Sequence, residues 1–173
     1  TAIAVWEWPS YFNPEAKMRG LNLDISDWKR PSQECAPVHA KAAGLYMICT
    51  LAKHNAEKKG FDDTLMLTHD GYIAESTGSN IFFKMKNGSI VTPNPDSFLN
   101  GITRQTVIAL LNDQGKEVLE RKIPLDELKD VEECFLTGTA AEVSPVGKIG
   151  EFEFKPGEFC SHSIKMYSEH VSS

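Results

Sequence analysis

Two Asx-Gly dipeptides divide the middle of this chain into short runs of β-type residues, and they constrain its fold more than any other feature. Asp70-Gly71 and Asn87-Gly88 favour β-hairpins, because a type I′ turn needs positive φ at two successive positions. The flanking runs are residues 64–68 and 72–75 around the first dipeptide, and residues 80–85 and 89–91 around the second. The sequence therefore predicts two antiparallel hairpins in this region.

Helical signals lie on both sides of these hairpins. Between about residues 41 and 59, apolar side chains recur with the spacing of one helix face, and Gly60 suits the position just past the helix end. Thr103 can cap a second helix that ends at Gly115, and a third helix is expected after Pro156. The remaining predicted elements are strands at residues 2–8, 21–28, 118–123, 133–136 and 143–149, and a helical turn at residues 125–129. Helices interspersed with antiparallel hairpins predict an α+β fold.

The composition limits the kinds of partner that the chain can have. A chain of 173 residues with 41% hydrophobic residues has the size and composition of one globular domain. Its net charge is −6 and it has no Lys/Arg-rich run, which argues against nucleic acids and anionic membranes as partners. No apolar run approaches the ~20 residues that a transmembrane helix needs, and no signal peptide is evident. The four scattered cysteines favour reduced thiols in a cytoplasmic protein, and the five histidines lack metal-ligand spacing, so no metal is expected.

Two residues could take part in covalent or acid–base chemistry. Lys41 stands at the predicted start of the first helix, and its alanine and glycine neighbours would let a planar group approach the amine. Glu75 lies near the end of a hairpin strand, where its carboxylate could face a pyridine nitrogen and keep that nitrogen protonated. Taken alone, each residue has a plainer interpretation, as a solvated surface lysine and a solvent-facing strand glutamate.

Two turns could bind a phosphate. Gly101-Ile102-Thr103 leads into a predicted helix, whose first backbone N–H groups and dipole favour an anion. Gly138-Thr139-Ala140-Ala141 follows a predicted strand and could form a second anion cradle. Ordinary capping by Thr103 and a plain turn are the alternatives. Tyr46 could hydrogen-bond a ring oxygen, and Trp8 with Tyr11 could line an apolar substrate pocket; packing in the core is the alternative for all three.

Together these stretches resemble the large C-terminal domain of a fold-type IV, pyridoxal-phosphate-dependent branched-chain amino acid aminotransferase. The resemblance extends from about Ile3 to Ile149 and so covers most of the chain. The motifs that carry it are Trp8-x-x-Tyr11, Trp28-Lys-Arg30, the Lys41/Tyr46 spacing, Gly71-Tyr-Ile-Ala-Glu75, Ser79-Asn-Ile-Phe82, Thr92-Pro93, Leu99-x-Gly-Ile-Thr-Arg104 and the stretch from Glu133 to Pro145. The resemblance implies an α+β domain with a mixed, barrel-like sheet and flanking helices.

The resemblance also implies roles for single residues. Lys41 would be the Schiff-base lysine, and Glu75 would be the partner of the pyridine nitrogen. The other cofactor contacts that it implies are Tyr46 at the ring hydroxyl, Arg30 close by, Leu99 on the ring, and Gly101, Ile102, Thr103 and Thr139 at the phosphate. The substrate side would be lined by Trp8, Tyr11, Thr139 and Ala140.

The activity that the resemblance implies is amino-acid transamination with pyridoxal 5′-phosphate. Leucine, isoleucine and valine would react with 2-oxoglutarate to give branched 2-oxo acids and glutamate, as part of amino-acid biosynthesis in a cytoplasmic homodimer or larger homo-oligomer. D-amino acid transaminases and aminodeoxychorismate lyases share the lysine and the glutamate and are the alternatives within the fold. The Gly138-Thr-Ala-Ala-Glu142 stretch and Trp8-x-x-Tyr11 favour the branched-chain type.

Members of this family carry a smaller N-terminal domain that supplies an arginine to the phosphate and part of the substrate pocket. We expect residues 1–173 to form only the large, cofactor-binding domain, with the interdomain side in residues 1–37 and the small domain absent. This chain alone is therefore expected to fold but to transaminate poorly. A non-catalytic remnant is the alternative from a different class of function.

Overall fold

The structure, a computed structural model, describes residues 3–5, 7, 15 and 19–172 of the chain. The strands are β1 Leu21–Arg30, β2 Asp63–Thr68, β3 Ile73–Ser76, β4 Asn80–Met85, β5 Ile90–Pro93, β6 Val118–Arg121, β7 Val131–Gly138, β8 Glu142–Ile149 and β9 Phe152–Glu153. Within residues 20–172 the α-helices are α1 Met47–Lys58, α2 Ile102–Asp113 and α3 Glu158–Ser172, and two 3-10 helices span Ala43–Tyr46 and Leu125–Asp130. The strand predicted at residues 2–8 is wrong for residues 3–5 and 7, which lie in no strand. None of the helices in the described ranges is long and apolar enough to cross a membrane.

The strands form one mixed sheet in the order β3-β2-β1-β8-β7-β4-β5-β6, with β9 paired to β8. β1 runs parallel to both β2 and β8, and β5 runs parallel to β6, whereas the other described pairs are antiparallel. The two ends of this order meet, since the N–H of Ile73 donates to the carbonyl of Ile123 at 2.9 Å beside a bridge between Tyr72 and Pro124. The sheet therefore curls into a barrel-like form, which confirms the predicted α+β fold with a mixed sheet and flanking helices.

The core has one part inside the curled sheet and another between the sheet and the helices. In β4, Ile81, Phe83 and Met85 belong to the inner part, while Phe82 points the other way and stacks on Phe135 with ring centroids 5.1 Å apart. This alternation follows from the two-residue period of a strand. The outer part also contains Val107 and Leu111 of α2 and Phe159, Cys160 and Met166 of α3. Both helices are thus held against the outer face of the sheet.

Both predicted hairpins are present, but the predicted turn type is wrong. β2 pairs antiparallel with β3, and β4 pairs antiparallel with β5. Gly71 and Gly88 have φ of 92° and 88°, whereas Asp70 and Asn87 are not among the positive-φ residues. In each turn the glycine N–H donates to the carbonyl three residues before it, at 2.9 and 2.8 Å. The connections are three-residue loops in which only the last position is left-handed, so one glycine per turn suffices.

Two of the helices end where the sequence predicts, but they begin at residues other than the predicted ones. The segment 41–59 is helical only from Ala43, and its first turn is 3-10, so Lys41 precedes the helix. In α2 the capping residue is Gly101, in an extended conformation, and Thr103 already lies within the first turn. Gly60 and Gly115 follow the last residues of α1 and α2 with φ of 87° and 74°, which confirms the predicted stops.

Candidate functional site

A cleft of about 350 Å³ lies where the loop after β3, the turn after β7 and the start of α2 approach one another. It brings together most of the cofactor contacts predicted from the sequence: Lys41, Tyr46, Glu75, Leu99, Gly101, Ile102, Thr103 and Thr139. Arg30 lies behind the cleft wall, and Ala140 is exposed in the same turn as Thr139. Trp8 and Tyr11 fall outside the described residues. The volume is within the range usual for small-molecule and cofactor sites.

Glu75 is a buried carboxyl that lines the cleft. Its residue is only 7% exposed, which excludes the solvent-facing interpretation. Oε2 accepts a hydrogen bond from Nδ2 of Asn80 at 3.2 Å, and Oε1 lies 3.4 Å from Nε of Arg30. Burial raises the pKa of Glu75 to about 8; Arg30 acts against this rise, and the Asp63 carboxyl adds to it. The carboxyl is therefore mostly protonated at neutral pH, and a cationic group placed against it would lower its pKa and favour the ionised form.

Arg30 connects Glu75 to the segment that follows Lys41. The residue is 3% exposed and ends β1. Its Nη1 donates to the carbonyl of Leu45 at 3.1 Å and to Sγ of Cys49 at 3.0 Å, while Nε also approaches the carbonyl of Ser97 at 3.4 Å. A guanidinium presents several donors in a fixed plane, so one side chain can hold three segments at once. Arg30 thus fixes the orientation of Glu75 without lining the cleft.

Lys41 and Tyr46 line the cleft from the segment of the chain that precedes α1. Lys41 is exposed, lies two residues before the 3-10 helix and lines the cleft. Tyr46 ends that 3-10 helix and is partly buried. Burial raises the pKa of the Tyr46 phenol, the carboxyl of Glu75 adds to the rise, and Arg30 acts against it. The phenol therefore stays neutral and can donate a hydrogen bond inside the cleft.

The start of α2 forms the opposite wall. Gly101 has φ of −63° and ψ of 145°, and its carbonyl accepts the first helical bond from the N–H of Gln105. The next N–H groups, from Ile102 onward, have no partner within the helix and carry the positive end of its dipole. Thr103 is buried and lines the cleft, whereas the side chain of Ile102 is 81% exposed. Because Gly101 and not Thr103 is the capping residue, the Thr103 hydroxyl is not committed as the helix cap.

The turn between β7 and β8 closes the cleft on a third side. Gly138 pairs with Glu142, and residues 139–141 form the loop between them. A Cβ on Gly138 would come within 3.1 Å of Oγ of Ser79, so the absence of a side chain lets the two loops pack together. Glu142 has a φ of 53°, a conformation that is costly for a residue with a side chain. This backbone presents Thr139 to the same cleft as the start of α2.

Asn80 is the main residue of the site that sequence reasoning did not assign to a role. It is buried at the start of β4 and lines the cleft. Asn80 belongs to the motif Ser79-Asn-Ile-Phe82, but a polar residue that opens a strand is common and does not by itself indicate a role. Only the structure reveals that its side chain contacts Glu75 on one side and the start of α2 on the other. His39 and Ser79 also line the cleft and were not predicted.

The cleft joins a positively polarised helix end to an amine and a buried acid, an arrangement suited to a small phosphorylated ligand. The chain belongs to the amino-transferase class IV family, whose model matches residues 3–149. It is 42% identical over 136 residues to the "Probable branched-chain-amino-acid aminotransferase" of Rickettsia conorii, covering 79% of this chain and 47% of that protein.

Solved structures agree with this assignment. The branched-chain aminotransferase of Thermoproteus uzoniensis with norvaline superposes with a TM-score of 0.90 at 33% identity, over 97% of this chain and 55% of the other. The branched-chain amino acid aminotransferase of Thermobaculum terrenum in its PLP-form (holo-form) gives 0.83 at 36% identity, over 88% and 51%. The predicted fold-type IV architecture is thereby confirmed. The chain spans about half the length of the relatives that it matches.

Proposed function

We propose that the protein containing this chain transfers amino groups between branched-chain L-amino acids and 2-oxoglutarate, with pyridoxal 5′-phosphate as cofactor. The observation that carries the proposal is the convergence of Lys41, Glu75 and the start of α2 on one cleft. Family membership supports it, and so do the names of the relatives described above, which are branched-chain aminotransferases. The cofactor is supported by the PLP-form of the structural neighbour from Thermobaculum terrenum.

The residues of the cleft fit this cofactor. A phosphate dianion suits the unpaired N–H groups that begin α2 and the hydroxyl of Thr103. A protonated pyridine nitrogen suits Glu75, whose buried carboxyl has the pKa of about 8 described above and would ionise against a cation. When bound, pyridoxal phosphate supplies an aldehyde that captures the substrate amine and a ring that accepts electrons from the substrate Cα.

Each residue then has a task that its position supports. Nζ of Lys41 would take the proton from the substrate Cα and deliver it, in the same half of the exchange, to the cofactor carbon that carries the substrate nitrogen. In the second half it would move a proton in the opposite direction. Glu75 would hold the proton on the ring nitrogen, with Arg30 fixing the orientation of its carboxylate. Tyr46 would donate to the ring hydroxyl oxygen, and Leu99 would pack on the ring. We place Thr139 and Ala140 on the substrate side, together with Trp8 and Tyr11.

This chain matches only about half the length of its relatives, and that bears on the activity expected of it. We propose that these residues form the cofactor-binding half of the protein, and that the remainder of a full-length relative contributes to the phosphate site and the substrate pocket. Efficient transfer would then need more than residues 1–173. Homo-oligomer formation and a cytoplasmic location stay predictions of the same kind.

Reductive trapping tests the assignment of Lys41. The complete protein is loaded with pyridoxal phosphate, reduced with borohydride and digested, and the modified peptide is identified by mass spectrometry. We expect the pyridoxyl group on Lys41, because this lysine lines the cleft. A label on Lys53 or Lys58 with Lys41 unmodified would contradict the assignment.

Leucine and D-alanine are then compared as amino donors to 2-oxoglutarate, and faster transfer from D-alanine would contradict the proposed substrate class.

A further inference from the structure

Asn80 holds three separate segments of the cleft with one side chain. Its Nδ2 donates to Oε2 of Glu75 at 3.2 Å and to the carbonyl of Leu99 at 3.0 Å, and its Oδ1 accepts from the N–H of Gly101 at 3.2 Å. Both N–H bonds of the amide and its oxygen are therefore used. The residue is 5% exposed, so water does not readily replace these bonds.

The surroundings of Asn80 allow its side-chain amide only one orientation. Its backbone is fixed because Asn80 pairs with Thr137 across β4 and β7. Turning the amide over would set its oxygen against two acceptors and its NH₂ group against a donor, so only one orientation satisfies all three bonds. A Cβ on Gly101 would lie 2.5 Å from Oδ1 of Asn80, so the contact also requires glycine at that position.

The three bonds connect the part of the cleft lined by Glu75 with the part lined by Leu99 and the start of α2. Glu75 marks the end proposed for the ring nitrogen, and Gly101 begins the helix proposed for the phosphate. Pyridoxal phosphate has a stiff ring with the phosphate on a short arm, so it meets both ends well only if their spacing is right. Binding two linked groups is strong when the two sites are held at the spacing of the link, and it weakens steeply when they shift.

We propose that Asn80 is a positioning residue that sets the distance and orientation between Glu75 and the start of α2, so that both ends of the cleft engage the cofactor at once. This inference rests on the proposed function, and it assigns to Asn80 a role in coupling the two ends rather than in chemistry. Removing the amide should harm the binding of the linked ligand more than the binding of its two parts.

The test compares pyridoxal phosphate with its parts, pyridoxal and inorganic phosphate, each titrated into the cofactor-free complete protein. We define the linkage ratio as the association constant for pyridoxal phosphate divided by the product of the constants for pyridoxal and phosphate. In Asn80→Ala we expect this ratio to fall roughly tenfold or more, while pyridoxal and phosphate each bind within about threefold of their original affinities.

Two further variants keep the test decisive. Gly101→Ala leaves Asn80 in place but pushes a methyl group against its Oδ1, so the linkage ratio should fall there too, even if Asn80→Ala does not fold. Asn112→Ala is the matched control, because Asn112 accepts the N–H of Val118 near the other end of α2, at 3.2 Å, and touches nothing in the cleft. Its ratio should not change.

The outcomes separate the two proposals. An unchanged ratio in Asn80→Ala and Gly101→Ala would overturn the role of Asn80, and so would an equal fall in Asn112→Ala. If the unmodified protein fails to bind pyridoxal phosphate at all, the proposed function fails and takes this inference with it. A normal affinity in the unmodified protein together with an unchanged ratio in the variants would refute the inference alone.

Discussion

Replacing Glu75 with glutamine should make the stability of the cofactor-free protein much less dependent on pH. In the folded chain the pKa of Glu75 is raised from 4.5 to about 8, chiefly by burial. A raised pKa means that the fold favours the protonated carboxyl, so its contribution to stability is fully present below pH 4.5 and is lost as the pH rises toward 8. The glutamine side chain resembles the protonated acid and does not titrate.

The size of this effect follows from the shift in the pKa. One pKa unit corresponds to about 1.4 kcal/mol, so the full shift corresponds to at most about 5 kcal/mol between pH 4.5 and pH 8. Solvent entry and movement of Arg30 toward the carboxylate reduce this figure, and we expect a measured difference of about 2–4 kcal/mol. Glu75→Gln should match the original protein near pH 5 and exceed it in stability at pH 8.

Urea unfolding of the cofactor-free protein at several pH values between 5 and 8.5 measures the effect. Glu151→Gln, at an exposed position, is the control for a change of glutamate to glutamine as such. Added pyridoxal phosphate should stabilise the original protein increasingly as the pH rises, since a pyridinium partner restores the preference for the ionised carboxylate. Parallel pH profiles for the original protein and Glu75→Gln would refute the reasoning.

Two other substitutions test the framework around the site. Glu133→Ala should destabilise the protein by about 3 kcal/mol in urea unfolding at pH 7, because the buried Glu133 carboxylate accepts the N–H groups of Gly157, Phe159 and Cys160 where α3 begins. Burial alone would raise the pKa of Glu133, but these three donors lower it overall, so the loss should shrink as the pH falls below 4.5 and should be smallest in the acid range. Arg30→Lys keeps the charge but not the planar set of donors, so we expect the variant to fold with a lower unfolding midpoint and its kcat for leucine to fall at least ~10-fold. A normal kcat in a folded Arg30→Lys variant would show that Glu75 does not need Arg30.

The sequence predicted local features well where a single residue type decides the backbone. Gly60, Gly71, Gly88 and Gly115 all lie where a left-handed residue is required, and the helix stops and hairpins follow from them. The type of hairpin turn, in contrast, could not be predicted from the glycines. The preference for Asx-Gly is shared by the two-residue turn and the three-residue loop, and only the hydrogen bonds across the strands distinguish the two.

The site was predictable as a set of residues but not as an arrangement. Thr103 looks like a cap in the sequence, yet the bond from Gly101 to Asn80 makes the helix begin two residues earlier, and that bond joins residues far apart in the chain. The burial of Glu75 depends on Arg30 and Asn80 in the same way. An isolated strand glutamate gives no sign that two other strands will enclose it, so its raised pKa appears only in three dimensions.

The central position of β1 has a consequence for how the chain reaches its folded state. β1 lies between β2 and β8, and Leu23 pairs with Asp63 on one side and with Ile149 on the other. As the polypeptide leaves the ribosome, one edge of β1 finds its neighbour β2 early, while the other edge must wait until β8, more than a hundred residues further along, has been made. Pairings between residues so distant in sequence form slowly, because a long loop must close before any contact rewards it. During that interval an open strand edge with apolar residues is exposed, which is the condition under which nascent chains associate with one another or bind chaperones.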